Sequence, residues 1–377
     1  MDNPRDRNAI ADPLTAPLTA RHLNRATLAR QLLLAREPLD PLTALERLAG
    51  VQAQNPHTWY VGLWARLAPF DPREAGELLT ERRAVRMPLM RGAVHAVSAA
   101  DAPWMRPLLR GALARPLARR AEALRGVDIG RLAAAARAIL ESEPHTAAEL
   151  GARLAERWPG RDPEALALAA RAQLGLVQVP PRGVWGRSGR PAHTTIEKWL
   201  EKPLSATAGI ERLVLRYLAA FGPATPADFS AWSGLPPPER AFARLRPDLV
   251  TLVDGAGVEY LDVPDAPRPD PDAPAPARLL YAHDNLLRAH ADLSRFQRPH
   301  GPPAAWTAPG PAPGAVLVDG VVRGRWAVQR RDDALELTVQ RIGRISAAQR
   351  DELEAEAHGL LGMLAPSARR EIHITAP

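Results

Sequence analysis

The sequence lacks cysteine altogether, which excludes disulfides, thiolate metal sites and cysteine nucleophiles. It also contains no run of the roughly 20 apolar residues that a membrane-spanning helix needs. Its opening residues, MDNPRDRNAIADP, are polar and have none of the apolar core of a signal peptide. These absences predict a soluble, cytoplasmic protein that does not enter a membrane.

Recognisable cofactor and metal motifs are absent from the sequence too. It has no P-loop, dinucleotide fingerprint or Gly-x-Ser-x-Gly element between a strand and a helix, and no His-Glu-x-x-His pattern. His283 and His290 lie seven residues apart, with Asp284 and Asp292 nearby. Packed or solvated histidines explain this spacing better than a metal site does. The sequence therefore predicts no cofactor and no metal.

Positive charge exceeds negative charge, and it is almost wholly arginine. The 377 residues include 49 Lys+Arg against 42 Asp+Glu, a net charge of +7, and only Lys198 and Lys202 are lysines. An arginine-rich basic chain suits a polyanionic partner, because guanidinium groups bind phosphate and guanine in bidentate fashion. Alternatively, a chain this rich in Ala, Arg and Pro reflects a GC-rich genome.

Two amides stand two residues apart in the segment VQAQNP, which follows a helix predicted over residues 41–49 with Asp40 as its cap. Pro56 disfavours a helical conformation just before it, so an extended or turn conformation is expected. Gln52 and Gln54 then point the same way and converge on one target. Neutral amides cannot remove a proton, but they can hold and orient a water molecule. The alternative is a solvated helix end.

Helices followed by two-stranded ribbons recur along the chain, which is the plan of a winged helix. The sequence predicts a mainly α protein with β-hairpins (class α+β), built as three tandem winged-helix units and a small mixed α/β C-terminal domain. The predicted units span residues 19–127, 128–206 and 207–263, a Pro/Asp-rich linker spans 264–276, and the C-terminal domain spans 277–377. In the second unit the hairpin is predicted to join Leu176–Val179 to Val184–Trp185. In the C-terminal domain Asp319-Gly320 predicts a type I′ turn.

A series of motifs, in order and spread over nearly the whole chain, resembles one known family. They are LNRATLARQLLL (23–34), VQAQNP (51–56), WYVGLWARL (59–67), MRGAVHAV (90–97), GVWGRSGRP (183–191), YLAAFGPATPADFSAWSGL (217–235), YAHDN (281–285) and VDGVVRGRW (318–326). The series resembles the AlkZ/YcaQ-type winged-helix DNA glycosylases, in the branch that unhooks interstrand crosslinks. The resemblance implies that Gln52 and Gln54 form the catalytic Gln-x-Gln element. It also implies substrates that are bulky N7-alkylpurines in double-stranded DNA, including crosslinks made by alkylating antibiotics, and hence DNA repair or antibiotic self-resistance.

Amides at both key positions limit the bases that such an enzyme can release. A guanine alkylated at N7 already carries positive charge, so it departs without being protonated by the protein. The site then needs mainly to position water at the anomeric carbon and to stabilise an oxocarbenium-like state. This predicts a monofunctional glycosylase that acts on cationic purines and spares unmodified bases.

Further residues are predicted to contact DNA or to support the glutamines. Asn55 is expected to orient the glutamine loop, and Arg91 and His95 lie where a first wing reaches a groove. The second wing carries Arg182, Trp185, Arg187 and Arg190, whose guanidinium groups are expected to meet phosphates. The alternatives are core packing for Trp185 and ordinary surface solvation for the arginines. For Asp284-Asn285 we expect a structural role in a loop.

A winged-helix transcriptional regulator without catalysis is the alternative function. Regulators commonly dimerise to match the two-fold symmetry of DNA. This chain carries three predicted units and no heptad segment to pair two copies, so a monomer that curves around one duplex is the preferred interpretation.

Overall fold

A computed structural model describes residues 17–205, 207–297 and 312–375. The polar N-terminal segment that was interpreted as lacking a signal peptide lies outside the described residues. Within them the α-helices, in chain order, are α1 (Ala20–Arg30), α2 (Pro41–Arg47), α3 (Trp59–Trp64), α4 (Pro72–Thr80), α5 (Ala102–Leu108), α6 (Arg110–Ala114), α7 (Ile129–Ser142), α8 (Ala147–Ala155), α9 (Pro163–Gln173), α10 (Ile196–Leu200), α11 (Ile210–Phe221), α12 (Pro226–Ser233), α13 (Glu239–Leu245) and α14 (Ala347–Leu364).

The strands of the described residues form two five-stranded sheets and one hairpin. They are β1 (Val51–Gln52), β2 (Ala84–Pro88), β3 (Val94–Ser98), β4 (Leu176–Gln178), β5 (His193–Thr195), β6 (Val250–Val253), β7 (Glu259–Asp262), β8 (Arg278–Leu280), β9 (Gly314–Val318), β10 (Val321–Arg331), β11 (Ala334–Arg341) and β12 (Arg369–Thr375). The first sheet has the order β1-β3-β2-β4-β5, the second β12-β11-β10-β9-β8, and β6 pairs with β7. The protein has a mixed α+β fold.

The helices begin where the sequence places capping residues. The Asp40 side chain accepts hydrogen bonds from the first-turn amides of α2, and Asp71 does the same for α4. The sequence predicts a capping box from Thr146 to Glu149, and the structure forms it at the start of α8. The sequence also predicts helices over residues 210–221, 239–245 and 347–364, and α11, α13 and α14 have these bounds. The capping residues next to α2, α4 and α8 therefore explain where these helices begin.

The first sheet corrects the hairpin predicted in the second unit. β4 pairs antiparallel with β5 rather than with Val184–Trp185, and β4 also pairs with β2 at Arg86 and Gln178. Val184 and Trp185 instead pack their side chains into the core formed by α2, α3 and α4. Tyr60 donates a hydrogen bond to the Gly183 carbonyl at 2.7 Å, which holds this loop there. Tertiary packing overrides the local strand signal.

The second sheet confirms the predicted turn and adds two strands. Asp319 (φ +50°) and Gly320 (φ +73°) join β9 to β10 in the left-handed conformations that a type I′ turn requires. β8 and β12 are not predicted from the sequence. β12 lies parallel to β11 after the crossover through α14. Its opening residues Arg369–Glu371 are charged, which hides the strand in the sequence.

The segment predicted as a Pro/Asp-rich linker lies against α1. Arg25 donates to the Ala273 carbonyl at 2.7 Å, and Arg30 donates to the Pro267 carbonyl at 3.3 Å. Arg30 also forms a buried bidentate ion pair with Asp262 of β7, at 2.7 and 2.8 Å. The segment is therefore packed along its course, and α1 joins it to the β6–β7 hairpin.

Among the described helices, none has the length and apolar character that crossing a bilayer requires.

Candidate active site around Gln52 and Gln54

Gln52 lies on the short strand β1, which begins directly after the turn that ends α2. Gly50 (φ +85°) makes this turn, and a Cβ atom there would lie 2.5 Å from the Val97 side chain, so only glycine fits. β1 pairs antiparallel with β3 and sets Gln52 opposite His95. The extended conformation predicted for the glutamine segment is confirmed here. The Gln52 side chain is largely buried, and the residue is 7% exposed.

Gln54 is exposed, and its side chain is tied to the same edge of the sheet. Its Oε1 accepts a hydrogen bond from the Val94 amide at 3.0 Å, while the Ala53 amide donates to the Val94 carbonyl at 2.7 Å. Asn55 turns the chain away by accepting from the His57 amide at 3.0 Å. A role of Asn55 in orienting the glutamine loop stays a prediction.

Arg91 binds the side chain of Gln52 through a hydrogen bond. Its Nη2 donates to Gln52 Oε1 and to Asn285 Oδ1, both at 2.9 Å, and its Nη1 donates to the Trp232 carbonyl. Both glutamine oxygens are thus bonded to the segment from Arg91 to Val94, at the turn between β2 and β3. Burial, with a further contribution from Arg288, lowers the pKa of Arg91 to about 10. The guanidinium therefore stays charged at neutral pH.

A second buried arginine fixes the peptide between the glutamines. Arg86 is 1% exposed, and its Nη2 donates to the Ala53 carbonyl at 2.7 Å while Nη1 donates to Gln178 Oε1. Burial and the nearby charge of Arg182 lower its pKa to about 10. Within the described part of the chain, neither Arg86 nor Arg91 has a carboxylate within ion-pairing distance. Neutral oxygens surround both cations.

A family model described as DNA glycosylase AlkZ-like matches residues 45–363, and so takes in both glutamines. The chain belongs to the AlkZ-like DNA glycosylase family. The structure is similar to that of the Streptomyces sahachiroi DNA glycosylase AlkZ, with a TM-score of 0.71 at 20% sequence identity, covering 95% of this chain and 100% of that one. A comparison with curated protein sequences finds no significant match. The chain is a DNA glycosylase, a DNA-repair enzyme, so the alternative of a regulator without catalysis is set aside.

His95 does not occupy the position predicted for it in this glycosylase. The sequence predicts a DNA contact, but the residue is 0% exposed and its Nδ1 bonds the Ala93 carbonyl at 2.8 Å. Burial, reinforced by the charge of Arg91, lowers its pKa to about 3. A neutral side chain closed inside the sheet cannot reach a DNA groove, so this prediction is wrong. His95 is opposite Gln52 because β1 and β3 pair there.

On the loop from Arg182 to Arg190, the residues predicted to contact DNA differ in their burial and in their partners. Arg182 is half-buried and donates to the Gly189 carbonyl at 3.1 Å. Burial, together with the charges of Arg86 and Arg182, lowers the pKa of His57 beside the glutamine loop. Trp185 packs its ring against Tyr60 with centroids 4.9 Å apart, which is the core packing that was the alternative. Arg190 is exposed and forms an ion pair with Glu149.

Arg187 differs from its neighbours on that loop. It is exposed, and within the described residues its side chain forms none of the hydrogen bonds or ion pairs seen for Arg182 and Arg190. An exposed guanidinium without a protein partner is available to a phosphate. The predicted DNA contact of Arg187 is therefore the least obstructed of the set.

The YAHDN motif supplies a site residue that sequence reasoning missed. Asp284 forms a buried bidentate ion pair with Arg66, at 2.9 Å on both oxygens, which agrees with the expected structural role in a loop. The neighbouring Asn285, however, reaches Arg91 with its oxygen and the Gly50 carbonyl with its nitrogen at 3.2 Å. The signal that could have found it is an asparagine inside a family motif next to a buried aspartate.

Histidines 283 and 290, considered above for a metal site, are separated in the structure. His290 is buried and bonds the Phe221 carbonyl at 3.0 Å, whereas His283 is exposed and bonds Arg288 at 2.8 Å. In the described ranges, no group of three or more His, Asp or Glu side chains is arranged to hold a metal ion. Activity without a cofactor stays a prediction.

Proposed function

We propose that this glycosylase hydrolyses the N-glycosidic bond of purines carrying positive charge from alkylation at N7, with water positioned by Gln52 and Gln54. The observation that carries the proposal is the fixed amide pair, whose two oxygens bond Arg91 and Val94. Each amide oxygen has two lone pairs, so each retains one that can accept from water. Gln54 is exposed, so its side chain is open to water and to a sugar.

The two described side chains that face Gln52, Arg91 through a hydrogen bond and His95 across the strand pair, are not ready general acids or bases, which supports a cationic leaving group. His95 stays neutral at physiological pH because its pKa lies near 3, and Arg91 stays protonated because its pKa lies near 10. Neither changes protonation near pH 7, where an efficient proton-transfer catalyst titrates. A base that leaves without protonation is therefore the substrate that this chemistry favours.

For DNA binding we propose that the three helical units act as tandem winged helices in a monomer on one duplex. Residues Arg91 and Val94 at the β2–β3 turn bond both glutamine oxygens, Arg187 is an exposed cation, and Arg182 is near enough for its charge to act on His57 beside the glutamine loop. Bulky adducts and interstrand crosslinks, as in DNA repair or antibiotic self-resistance, are the substrates we infer from the resemblance. A cytoplasmic location is part of the same proposal.

The test is incubation with a duplex that carries one N7-alkylguanine, followed by strand cleavage at abasic sites. We expect base release without added metal and unchanged rates in EDTA, because the amides and the leaving group suffice. A duplex with unmodified guanine at the same position is the matched control and should remain intact. Strict dependence on a divalent ion, or equal release of unmodified guanine, would overturn the proposal.

A further inference from the structure

A continuous chain of contacts connects the YAHDN loop to the catalytic strand. Asn285 accepts from Arg91 Nη2 at 2.9 Å, and the same nitrogen donates to Gln52 Oε1 at 2.9 Å. Asn285 also donates to the carbonyl of Gly50, the residue that starts the turn into β1, at 3.2 Å. These residues are 194 and 235 positions apart from Asn285 in the sequence. One side chain thus holds both Arg91 and the backbone before Gln52.

The shape of arginine is needed for this arrangement. The planar guanidinium bonds three separate oxygens, from Gln52, Asn285 and the backbone of Trp232. A lysine ammonium is a compact donor group on a flexible stem and does not reproduce such a fork. The backbone of Arg91 is itself left-handed (φ +55°), a conformation uncommon for residues other than glycine. The fold therefore imposes this geometry on Arg91.

The guanidinium group of Arg91 determines which way the Gln52 amide faces. With Oε1 accepting from Arg91, a flip of the amide would place its NH2 group against the guanidinium, donor against donor. The flipped state is excluded, so one oxygen lone pair and the NH2 group keep a fixed direction. The charge of Arg91 cannot itself favour the reaction, because a cation opposes the developing sugar cation. Its contribution is geometric.

We propose that Arg91 and Asn285 are positioning residues for base excision, which hold the Gln52 amide in the one orientation that delivers water. This inference rests on the proposed function of the glutamine pair. It adds the YAHDN loop, which is distant in the sequence, to the residues that determine the rate of base release. The loop acts through the hydrogen bond between Asn285 and Arg91. Neither residue needs to touch the DNA substrate.

The test compares Arg91→Lys and Asn285→Ala with Arg106→Lys as the matched control. Arg106 is buried where Arg91 is half-buried, and burial likewise lowers its pKa to about 10. Within the described residues it donates to the backbone carbonyls of Arg171, Ala172 and Leu174, far from the glutamines in the sequence. Single-turnover base release and DNA affinity are measured for each variant, with spontaneous base loss subtracted. We expect Arg91→Lys to slow release about 10²-fold, the loss that a misplaced catalytic group can cause. Affinity should change less than about fivefold, and the control should keep its rate.

A double-mutant cycle separates positioning from general structural damage. In a Gln52→Ala background, adding Arg91→Lys should cost less than about threefold, since no amide remains to be positioned. The same cycle measured by chemical unfolding should show coupling between Arg91 and Gln52 and none between Arg106 and Gln52. Equal rate losses in both backgrounds, or a wild-type rate in Arg91→Lys, would overturn the inference.

The cycle also distinguishes failure of the inference from failure of the proposed function. If the wild-type protein releases no base while the unfolding coupling persists, the proposed function is wrong and Arg91 with Gln52 is only a structural pair. If the wild type is active and Arg91→Lys is equally active, the glutamines act without Arg91 and only the positioning role is lost.

Discussion

Arg86 and Arg91, beside the glutamine pair, contrast with Arg187 and Arg190 on the outer loop. The inner pair is buried or half-buried and donates to neutral oxygens of the chain, so its hydrogen bonds fix the positions of Ala53 and Gln52. The outer pair is exposed, with Arg187 unpartnered in the described structure and Arg190 bonded to Glu149. The same residue type holds the site through hydrogen bonds in one region and leaves exposed positive charge in the other.

The largest effect on the rate of base release is expected from substitution of the glutamines that the inner arginines hold. Gln52→Ala or Gln54→Ala should lower single-turnover base release roughly 10²-fold or more if water positioning supplies on the order of 3 kcal/mol. The two losses should be less than additive, because both amides would hold one water. Gln173→Ala is the control, since Gln173 also accepts from an arginine, Arg110, but lies on α9.

Substitution of Gln52 should also affect stability. The sequence alone predicts that alanine at either glutamine leaves folding nearly intact, because no core contact is expected there. In the structure, however, the Gln52 oxygen accepts from Arg91 in a largely buried site. Gln52→Ala should therefore cost about 1 kcal/mol of unfolding free energy, and Gln54→Ala less. Wild-type release rates in both alanine variants would show that the amide pair has only a structural role at the edge of the sheet.

The burial of His95 predicts how the stability of the protein changes in acid. His95 has a folded-state pKa of about 3, far below its ordinary value of about 6.5, because burial and Arg91 disfavour the charged form. Between these two values the unfolded chain binds more protons than the folded one. The contribution of His95 to stability is therefore complete above pH 6.5 and is lost as the pH falls toward 3.

His95→Asn should lower the number of protons that the chain takes up on unfolding by up to one. The slope of unfolding free energy against pH should fall by up to about 1.4 kcal/mol per pH unit between pH 4 and 6. Urea unfolding at several pH values measures it, with the exposed His358→Asn as control. His193 and His290 also have lowered pKa values, so some acid dependence should remain in the variant. An unchanged slope would contradict the buried, neutral state of His95.

The outer loop should show the smallest effect and only in binding. Arg187→Ala should reduce the slope of log affinity against log salt by about one if Arg187 neutralises one phosphate. Arg190→Ala should change it less, because Arg190 must first leave Glu149. Base release under saturating protein should be unchanged in both. An unchanged slope for Arg187→Ala would mean that this loop faces away from the duplex.

The parts of this structure that the sequence predicts are those decided by neighbouring residues. The capping box at Thr146, the left-handed pair Asp319-Gly320 and the bounds of α14 all follow from chemistry within a few positions. The extended glutamine segment after Gly50 belongs to the same class, because Pro56 and Gly50 act locally. These features could be predicted without knowledge of the tertiary fold.

The rest depends on contacts between distant residues. The pairing of β2 with β4 and the packing of Trp185 against Tyr60 bring the loop of residues 180–191 against the core formed by α2, α3 and α4. His95 looks like a surface residue near a turn until β1 pairs beside it and closes it in. Asn285 reaches Arg91 across 194 positions, a separation at which periodicity and turn chemistry carry no information.

Leaving-group selectivity tests the central claim most directly. Two duplexes should carry the same alkyl group on one guanine, at N7 in the first and at O6 in the second, so that only the first base is cationic. Single-turnover release from both is then measured with excess glycosylase in EDTA. An amide pair without a proton donor should release the N7-alkylated base and leave the O6-alkylated base in place. Comparable release of both bases would contradict the account, because a neutral purine needs the protonation that Gln52 and Gln54 cannot provide.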